Sequence, residues 1–506
     1  MRLYYNYTIA IGITVLPSIT NRKRTMRSID SVQIFIAILL ALLPVHSASA
    51  AFAGGDGSPS DPYQISTKEQ LAEADNVLAY YSNNFVLIND IDVTGDPAYS
   101  LFPRADQGGR QDGFGTFGPA VGFSGTFDGA GFAIINKTNC LFDQLFSPFS
   151  GRNPTIMNLT LSNVNIRPHH IVQTPVAYAA LSPGEQHSGV RATLLNVHVS
   201  GTVTSSLPNT GGLIGFAPGA FISNCTSSVR VFGATSAGGL IGSMSGSTTV
   251  TLCSATGDVD GTQDSGGLVG LMSGAALLYQ CSAHGDVTKS SGEYSGGLVG
   301  RIVNGGTIRQ CFATGNFINN SAAQQGGCFI GGTEGSSDIF IEDCYSTGDS
   351  PSTVTMSPGR NGGFVGNFGR SPGSTTHLIN RCYSKGDVGS SIGGAFMGRD
   401  SGSGGSGVII SNSYASGGTV SNSSAGFAVS AGFNVTIANC YWTNSASSDP
   451  IATKVANEAY FYKTANPPVN GWDATTVWFF DGKRDPCLRW HSDCSPPPRG
   501  TVFRIE

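Results

Sequence analysis

Over the middle of the chain apolar and polar residues alternate with a period of two, and the alternation returns at nearly fixed intervals. In Cys253-Ser254-Ala255-Thr256-Gly257-Asp258-Val259, the residues Cys253, Ala255, Gly257 and Val259 share one parity, and Ser254, Thr256 and Asp258 share the other. Cys281, Ala283, Gly285 and Val287 against Ser282, His284 and Asp286 repeat this, and Cys382, Ser384, Gly386 and Val388 against Tyr383, Lys385 and Asp387 repeat it again. Such alternation predicts a strand with one buried face. The cysteine anchor stands at 225, 253, 281, 311, 344 and 382, Ser413 takes the place once, and Cys440 resumes. Stacked like on like at ~4.8 Å, these strands predict an all-β fold, a right-handed parallel β-helix. Small Cys, Ala and Gly would fill its narrow interior.

A second pattern runs in step with the first. Gly-Gly-apolar-apolar-Gly stands at 211–215, 238–242, 266–270, 296–300 and 362–366, with looser copies at Gly326–Gly331 and Gly393–Gly398. Successive starts lie 27, 28, 30, 30, 36 and 31 residues apart, the spacing of a stacked-repeat architecture. The motif is read as the corner of each coil, where Gly supplies positive φ and close backbone approach.

Ahead of the repeats the pattern changes. Thr67 followed by Gln70 makes a capping box before Leu71, Ala74, Val77 and Leu78, which predicts a helix over 68–81 that covers the open end of the core. Phe85–Val93, Phe123–Ile135, Ile156–Ile166 and Leu194–Val199 return to strand alternation as the first, irregular coils, with a Gly-rich loop at 95–122. After Trp442 the repeat stops. Residues 459–464 predict a short helix, and Trp472, Val477, Trp478, Phe479, Phe480 and Trp490 predict a small aromatic C-terminal cap. Cys487 and Cys494, outside the ladder, are the candidate disulfide, closing a small loop.

Composition narrows the class. Gly accounts for 69 of 506 residues, nearly twice the usual ~7%, yet 40% apolar content is enough for a core. A net charge of −5 with no basic stripe past residue 30 argues against nucleic acid as a partner. Arg22, Lys23, Arg24 and Arg27 precede the apolar run Ile34–Leu43, Pro44 breaks it, and Ala48-Ser49-Ala50 offers a cleavage site. This predicts export, with an uncleaved anchor as the alternative and Met26 as an alternative start. The mature chain is expected to be secreted or at the cell surface, monomeric, and without a membrane span after signal cleavage.

The Gly-Gly-Leu-Val-Gly motif with its downstream Cys-Ser-Ala-x-Gly-Asp-Val resembles the GLUG repeat. Asp61-Pro62-Tyr63, Asn89-Asp90-Ile91-Asp92, Phe123–Gly129 and the Trp472…Trp478…Trp490 ending are similar to segments that accompany such repeats. The resemblance implies secreted or surface proteins of adhesin-like character, and GLUG repeats also accompany bacterial immunoglobulin-A metalloproteases. It implies no catalytic set. The chain divides accordingly into a leader and signal peptide (1–50), an N-terminal cap with the first irregular coils (51–200), the GLUG-type repeats (201–442) and a C-terminal link and cap (443–506).

Candidate chemistry is sparse. A zinc protease needs His-Glu-x-x-His on a helix, and none of the eight histidines has that context; His169-His170 follows Pro168 in an extended stretch. The ladder Cys225, Cys253, Cys281, Cys311, Cys344, Cys382 and Cys440 falls on the buried parity, where Cys acts as a small hydrophobe, with bridges between rungs as the alternative; Cys140 and Cys328 have no assigned role. One residue after the anchors runs an outward column: Thr226, Ser254 and Ser282, then Phe312, Tyr345, Tyr383, Tyr414 and Tyr441. The five aromatics offer stacking faces to sugar rings or a partner protein, or else stack on each other beneath a covering loop. Asp258, Asp286, Asn316, Asp349 and Asp387 form another column, suited to turn amides rather than to a Ca²⁺ site, which needs six to eight oxygens. Asn136, Asn158, Asn224, Asn319, Asn422 and Asn434 stand in glycosylation sequons. Arg301, Arg309, Lys385 and Arg399 are scattered along the sequence, short of the clustered acids and bases of a lyase or hydrolase. The expected role is non-catalytic binding of glycans or surface proteins with no cofactor; a polysaccharide lyase or hydrolase, or a structural spacer, is the alternative.

Overall fold

The computed structural model describes residues 52–491, less 77–81, 96–122, 143–144, 146–152, 168–178, 185–190, 320–324, 352–359, 370–376, 390–392, 402–406, 417–425, 429–434, 444–451, 464 and 467–470. The expected signal peptide, the end of the capping helix, His169-His170, Asn422, Asn434 and Cys494 lie outside the described residues. All described residues belong to one compact unit, 50–506.

The chain winds into a parallel β-solenoid. Among the described residues its strands form ladders of 27, 8 and 6 members, with one separate two-stranded antiparallel pair. One coil shows the plan. Ser265–Gly266 lies on the six-stranded sheet, Val269–Ser273 on the eight-stranded sheet, and Leu277–Tyr279, Ser282–Ala283 and Val287–Lys289 on the long one. The next coil repeats it in register, with Val269 beside Val299, Leu278 beside Ile308, Ala283 beside Ala313 and Val287 beside Phe317. Stacking apolar on apolar gives one continuous core from Ile65 to Trp442, because each coil alone buries its apolar face only against its neighbours.

The cysteine ladder sits inside at a corner. The residue before each anchor is left-handed: Asn224, Leu252, Gln280, Gln310, Asp343, Arg381, Asn412 and Asn439 all have φ between 51° and 56°. Each ladder thiol then donates to the carbonyl two residues back, as Cys253 does to Thr251 at 3.1 Å and Cys344 to Glu342 at 3.0 Å. Ser413 Oγ does the same to Ser411 at 2.8 Å, which explains why serine can take the place. Some anchors also accept from the neighbouring rung, since Cys281 N–H donates to Cys311 Sγ at 3.4 Å and Cys382 N–H to Ser413 Oγ at 3.1 Å. The position selects a small donor-acceptor. The ladder cysteines, Cys140 and Cys328 are buried free thiols, and burial pushes Cys253, Cys311 and Cys344 well up and Cys440 to about 12.

The glycine motif needs correction on one point. None of its glycines from Gly211 to Gly300 is left-handed. They are required by contact alone: a Cβ on Gly238 would stand 1.9 Å from Ile241 O, and one on Gly267 2.2 Å from Gly297 O. Backbone touches backbone between coils, and the positive-φ corner belongs to the residue before the anchor instead.

At the N-terminal end, Thr67 Oγ1 accepts from Gln70 N–H at 3.3 Å, and Gln70 Oε1 reaches back to Ser66 N–H at 2.8 Å. The helix Lys68–Asn76 sends Leu71 and Ala74 into the solenoid core. The bare edge of Tyr63–Ile65 is closed by antiparallel pairing of Gly54 with Gln64, and Phe52 stacks on Tyr63 at 4.4 Å. Covering an exposed edge in this way blocks edge-to-edge association. At the other end Thr453–Val455 continues the ladder beside Tyr441–Thr443. Where a short helix over 459–464 was predicted, Glu458–Tyr460 forms a single 3₁₀ turn. Trp478–Phe479 then pairs antiparallel with Cys487–Leu488, and Cys487 is disulfide-bonded.

Candidate binding faces

The aromatic column stacks as a continuous pile. Phe312 lies on Tyr345 at 4.9 Å and 7°, Tyr345 on Tyr383 at 4.8 Å and 2°, and Tyr383 on Tyr414 at 5.1 Å and 11°, with Tyr441 next in register. The expectation that these rings offer faces to a ligand is corrected. Tyr345, Tyr383 and Tyr414 are at most 4% exposed, and Phe312 and Tyr441 are part-buried. The chain after residue 452 folds back over them. Tyr414 meets Phe461, Trp472 and Trp478, while Trp490 covers Phe312 and Tyr345. Polar contacts fasten this strap: Trp490 Nε1–H donates to Asp343 O at 3.0 Å, Tyr414 hydroxyl to Pro486 O, and Ser416 Oγ to Asp485 Oδ2 at 2.6 Å. Lys385 Nζ stands 3.3 Å from the same carboxylate. The switch from Thr226, Ser254 and Ser282 to aromatics therefore marks where the strap begins.

A different column faces outward uncovered. Four residues before each anchor, and in unbroken register, stand Phe221, Thr249, Leu277, Thr307, Phe340, Leu378, Ile409 and Thr436. Phe221 is 41% exposed and Phe340 36%, and Tyr279 on the neighbouring column is 37% exposed. The sequence signal was present at a constant offset, but parity alone does not separate this position from a polar rim.

Charge gathers at one place that the linear order hides. Arg301, expected to be isolated, lies with Nη2 2.8 Å from Asp264 Oδ2 and Nη1 3.2 Å from Glu334 Oε2. Asp264 occupies a left-handed corner packed against Gly300. Tyr294 lies across Gly332, where a Cβ would stand 2.3 Å from the ring, and its hydroxyl accepts from Asn367 Nδ2 at 3.4 Å. Burial raises the Asp264 carboxyl from 3.8 to about 6 against the pull of Arg301, and lowers Lys289 from 10.5 to about 7 against Asp264 and Glu293. Asp264 and Lys289 have no exposed surface, and the Asp264–Arg301–Glu334 set is a clamp between coils. Arg309 pairs with Glu342 at 2.9 Å.

A pH experiment reads the clamp. The folded state holds the Asp264 proton more tightly than the unfolded chain, so its contribution favours folding below about pH 4 and is lost as pH rises through about 6. Asp264→Asn is expected to flatten that fall, seen as a wild-type minus variant difference in unfolding free energy by urea titration. A difference constant across the window would refute the assignment.

The acidic column is a hydrogen-bond ladder. Asp258 Oδ1 accepts from Asp286 N–H at 3.0 Å, Asp286 Oδ1 from Asn316 N–H at 2.8 Å, Asn316 Oδ1 from Asp349 N–H at 3.0 Å and Asp349 Oδ1 from Asp387 N–H at 2.8 Å. No group of three or more His, Cys, Asp or Glu suited to a metal ion occurs among the described residues. Three sequons have a structural account. Asn136, Asn158 and Asn224 are left-handed corner residues, and their Nδ2 groups donate to Asp92, Asp128 and Asn196 respectively. No described helix is long and apolar enough to cross a membrane.

Comparison with known proteins bears on this geometry. Residues 291–318, which make up one coil, match the GLUG motif. A protein of Evansella cellulosilytica whose name describes it as a Gly-rich membrane protein is 30% identical over 155 residues, 28% of this chain and 16% of that one. Halomucin of Haloquadratum walsbyi is 29% identical over 170 residues, 32% of this chain and 2% of that one. The chain thus spans less than a fifth of the length of the curated relatives it matches. A solved Bacteroides ovatus structure that carries the name of an immunoglobulin A1 protease aligns with a TM-score of 0.38 at 19% identity, over 60% of this chain and 80% of that one. At that level it carries no argument about activity.

Proposed function

For a chain that carries the GLUG motif on a parallel β-solenoid, we propose a role as a non-catalytic binding module of an exported surface protein. It contacts extracellular glycans through the uncovered face of the solenoid. The carrying observation is the outward column on which Phe221 and Phe340 stand exposed, with exposed Tyr279 beside it. Large apolar side chains held in water on a rigid, regularly spaced sheet mark an interaction surface more than a packing need. The names of a membrane protein and a halomucin among the relatives support a surface address. The buried state of Asp264 counts against bond cleavage at the Arg301 cluster.

Retention of the mature chain on a panel of insoluble and arrayed polysaccharides tests this, with reducing-end release measured in parallel. Saturable retention is expected, reduced about tenfold or more in the triple variant Phe221→Ser, Tyr279→Ser, Phe340→Ser. Retention that ignores the triple variant would overturn the face assignment, and release of sugar ends would replace binding by catalysis. Silence in both assays would leave a spacer.

A further inference from the structure

The open face is not uniform along the solenoid axis. On one outward column the order from coil to coil is Phe221, Thr249, Leu277, Thr307 and Phe340, each registered beside the next. Large apolar side chains thus return on every second coil, with threonine between them. Phe221 and Phe340 stand exposed at the two ends of the line. In the middle coil Leu277 is part-buried, and Tyr279, two residues along the same strand, carries the exposed ring. Past Phe340 the order ends, with Leu378 and Ile409 on consecutive coils, so the footprint runs from Phe221 to Phe340.

The stacking gives this order a length. Parallel strands lie about 4.8 Å apart, so two coils advance about 9.6 Å and the footprint spans about 19 Å. The rings hold that pitch, because each sits on a strand paired with a neighbour on both sides. Charge on the face cancels. The second outward column reads Ser223, Thr251, Tyr279, Arg309 and Glu342, and its two charged members pair with each other at 2.9 Å. Nothing on either column of the footprint is left to attract an ionic ligand.

A ligand matched to this surface is uncharged and straight, and it repeats an apolar face at the two-coil pitch with hydroxyls between. An extended β-1,4-linked polysaccharide has those properties. Its ring faces carry C–H groups, and successive rings are turned half a revolution about the chain. The disaccharide is therefore the repeat, and its length is close to the advance of two coils. Chains of β-1,3 or α-1,4 linkage wind into helices and keep no such straight register. We propose that the face binds an uncharged β-1,4-linked polysaccharide laid along the solenoid axis, one disaccharide to every two coils, with sugar rings on Phe221, Tyr279 and Phe340. This rests on the glycan-binding role above and deepens it by naming the linkage and the direction of the chain.

Retention of the mature chain on insoluble β-1,4-linked glucan, mannan and N-acetylglucosamine polymer, against a β-1,3-linked glucan and starch, tests it without any variant. At least one β-1,4-linked polymer is expected to retain the chain about tenfold or more better than the other linkages. A double variant then tests the pitch: Thr307→Phe with Phe340→Thr moves one ring by a single coil and keeps the composition of the face. A loss of about fivefold or more is expected. Leu252→Ser removes a side chain that is 55% exposed at the corner, outside both columns, and should leave retention unchanged. Matching melting curves confirm that each variant folds. Equal retention on all linkages, or retention that the double variant leaves intact, overturns the inference. The two readings fail separately. If the triple variant of Phe221, Tyr279 and Phe340 still abolishes such unselective retention, the face stands and only the linkage and pitch fall. Retention on no polymer, or retention indifferent to the triple variant, removes the face and this inference with it.

Discussion

Replacing Trp478 by Ala is expected to cost about 3–5 kcal/mol, the range for emptying a buried tryptophan site. Trp478 is 1% exposed, stacks on Trp472 at 4.6 Å, and bears on both Tyr383 and Tyr414. It also fixes the local backbone, since Arg489 Nε–H donates to its carbonyl at 2.9 Å. The loss should not spread evenly. In a solenoid each coil depends on its neighbours alone, so the strap detaches before the body melts. Hydrogen exchange is the decisive measurement. Protection should fall at Trp478–Leu488 and along the coils that carry Phe312, Tyr345, Tyr383 and Tyr414, while Leu240–Met272 keeps its protection. Freed aromatics should also raise binding of an apolar dye. Uniform loss of protection over both regions would show that strap and solenoid are one cooperative unit.

The second large effect lies in the glycine contacts. Gly266→Ala places a Cβ 2.0 Å from Val269 O and 2.6 Å from Gly300 N. Both are backbone atoms that belong to hydrogen-bonded coils, so no side chain can swing aside. A cost of about 3 kcal/mol or more follows, the upper end of overpacking. Gly471→Ala is the control, because nothing lies within 4 Å of its Cβ and its φ is not left-handed; its effect should stay within about 0.5 kcal/mol. Denaturant midpoints of the two variants decide the matter. Equal midpoints would mean that the coils can separate locally without loss, contrary to the close stacking described.

Much of the winding is legible in the sequence itself. Parity at Cys253–Val259 and its copies gave strand, inward face and stacking, because a period of two is a local property and repetition confirms it. The corner was legible only in part. Asn224, Asn412 and Asn439 suit a left-handed residue, but Leu252 and Arg381 take the same conformation against their own preference, held there by neighbouring coils. The anchor's chemistry showed itself at Ser413, where a hydroxyl repeats the thiol's hydrogen bond, a meaning hidden while Cys was read as bulk alone.

What covers a face was decided by the tertiary structure. Phe312, Tyr345, Tyr383 and Tyr414 have the parity of outward residues, and that parity is correct: they point away from the solenoid core into a second core. Nothing local distinguishes such a column from the outward one on which Phe221 and Phe340 stand exposed. The difference is made by a chain return of 147 residues, from Trp490 to Asp343. The Asp264–Arg301–Glu334 clamp likewise joins residues 37 and 33 apart in sequence, adjacent only once coil upon coil sets the register. Alternation and period, being short-ranged, thus determined how this chain winds. Which outward surfaces stay in water, and hence where a ligand can reach, depended on long-range packing that no periodicity records.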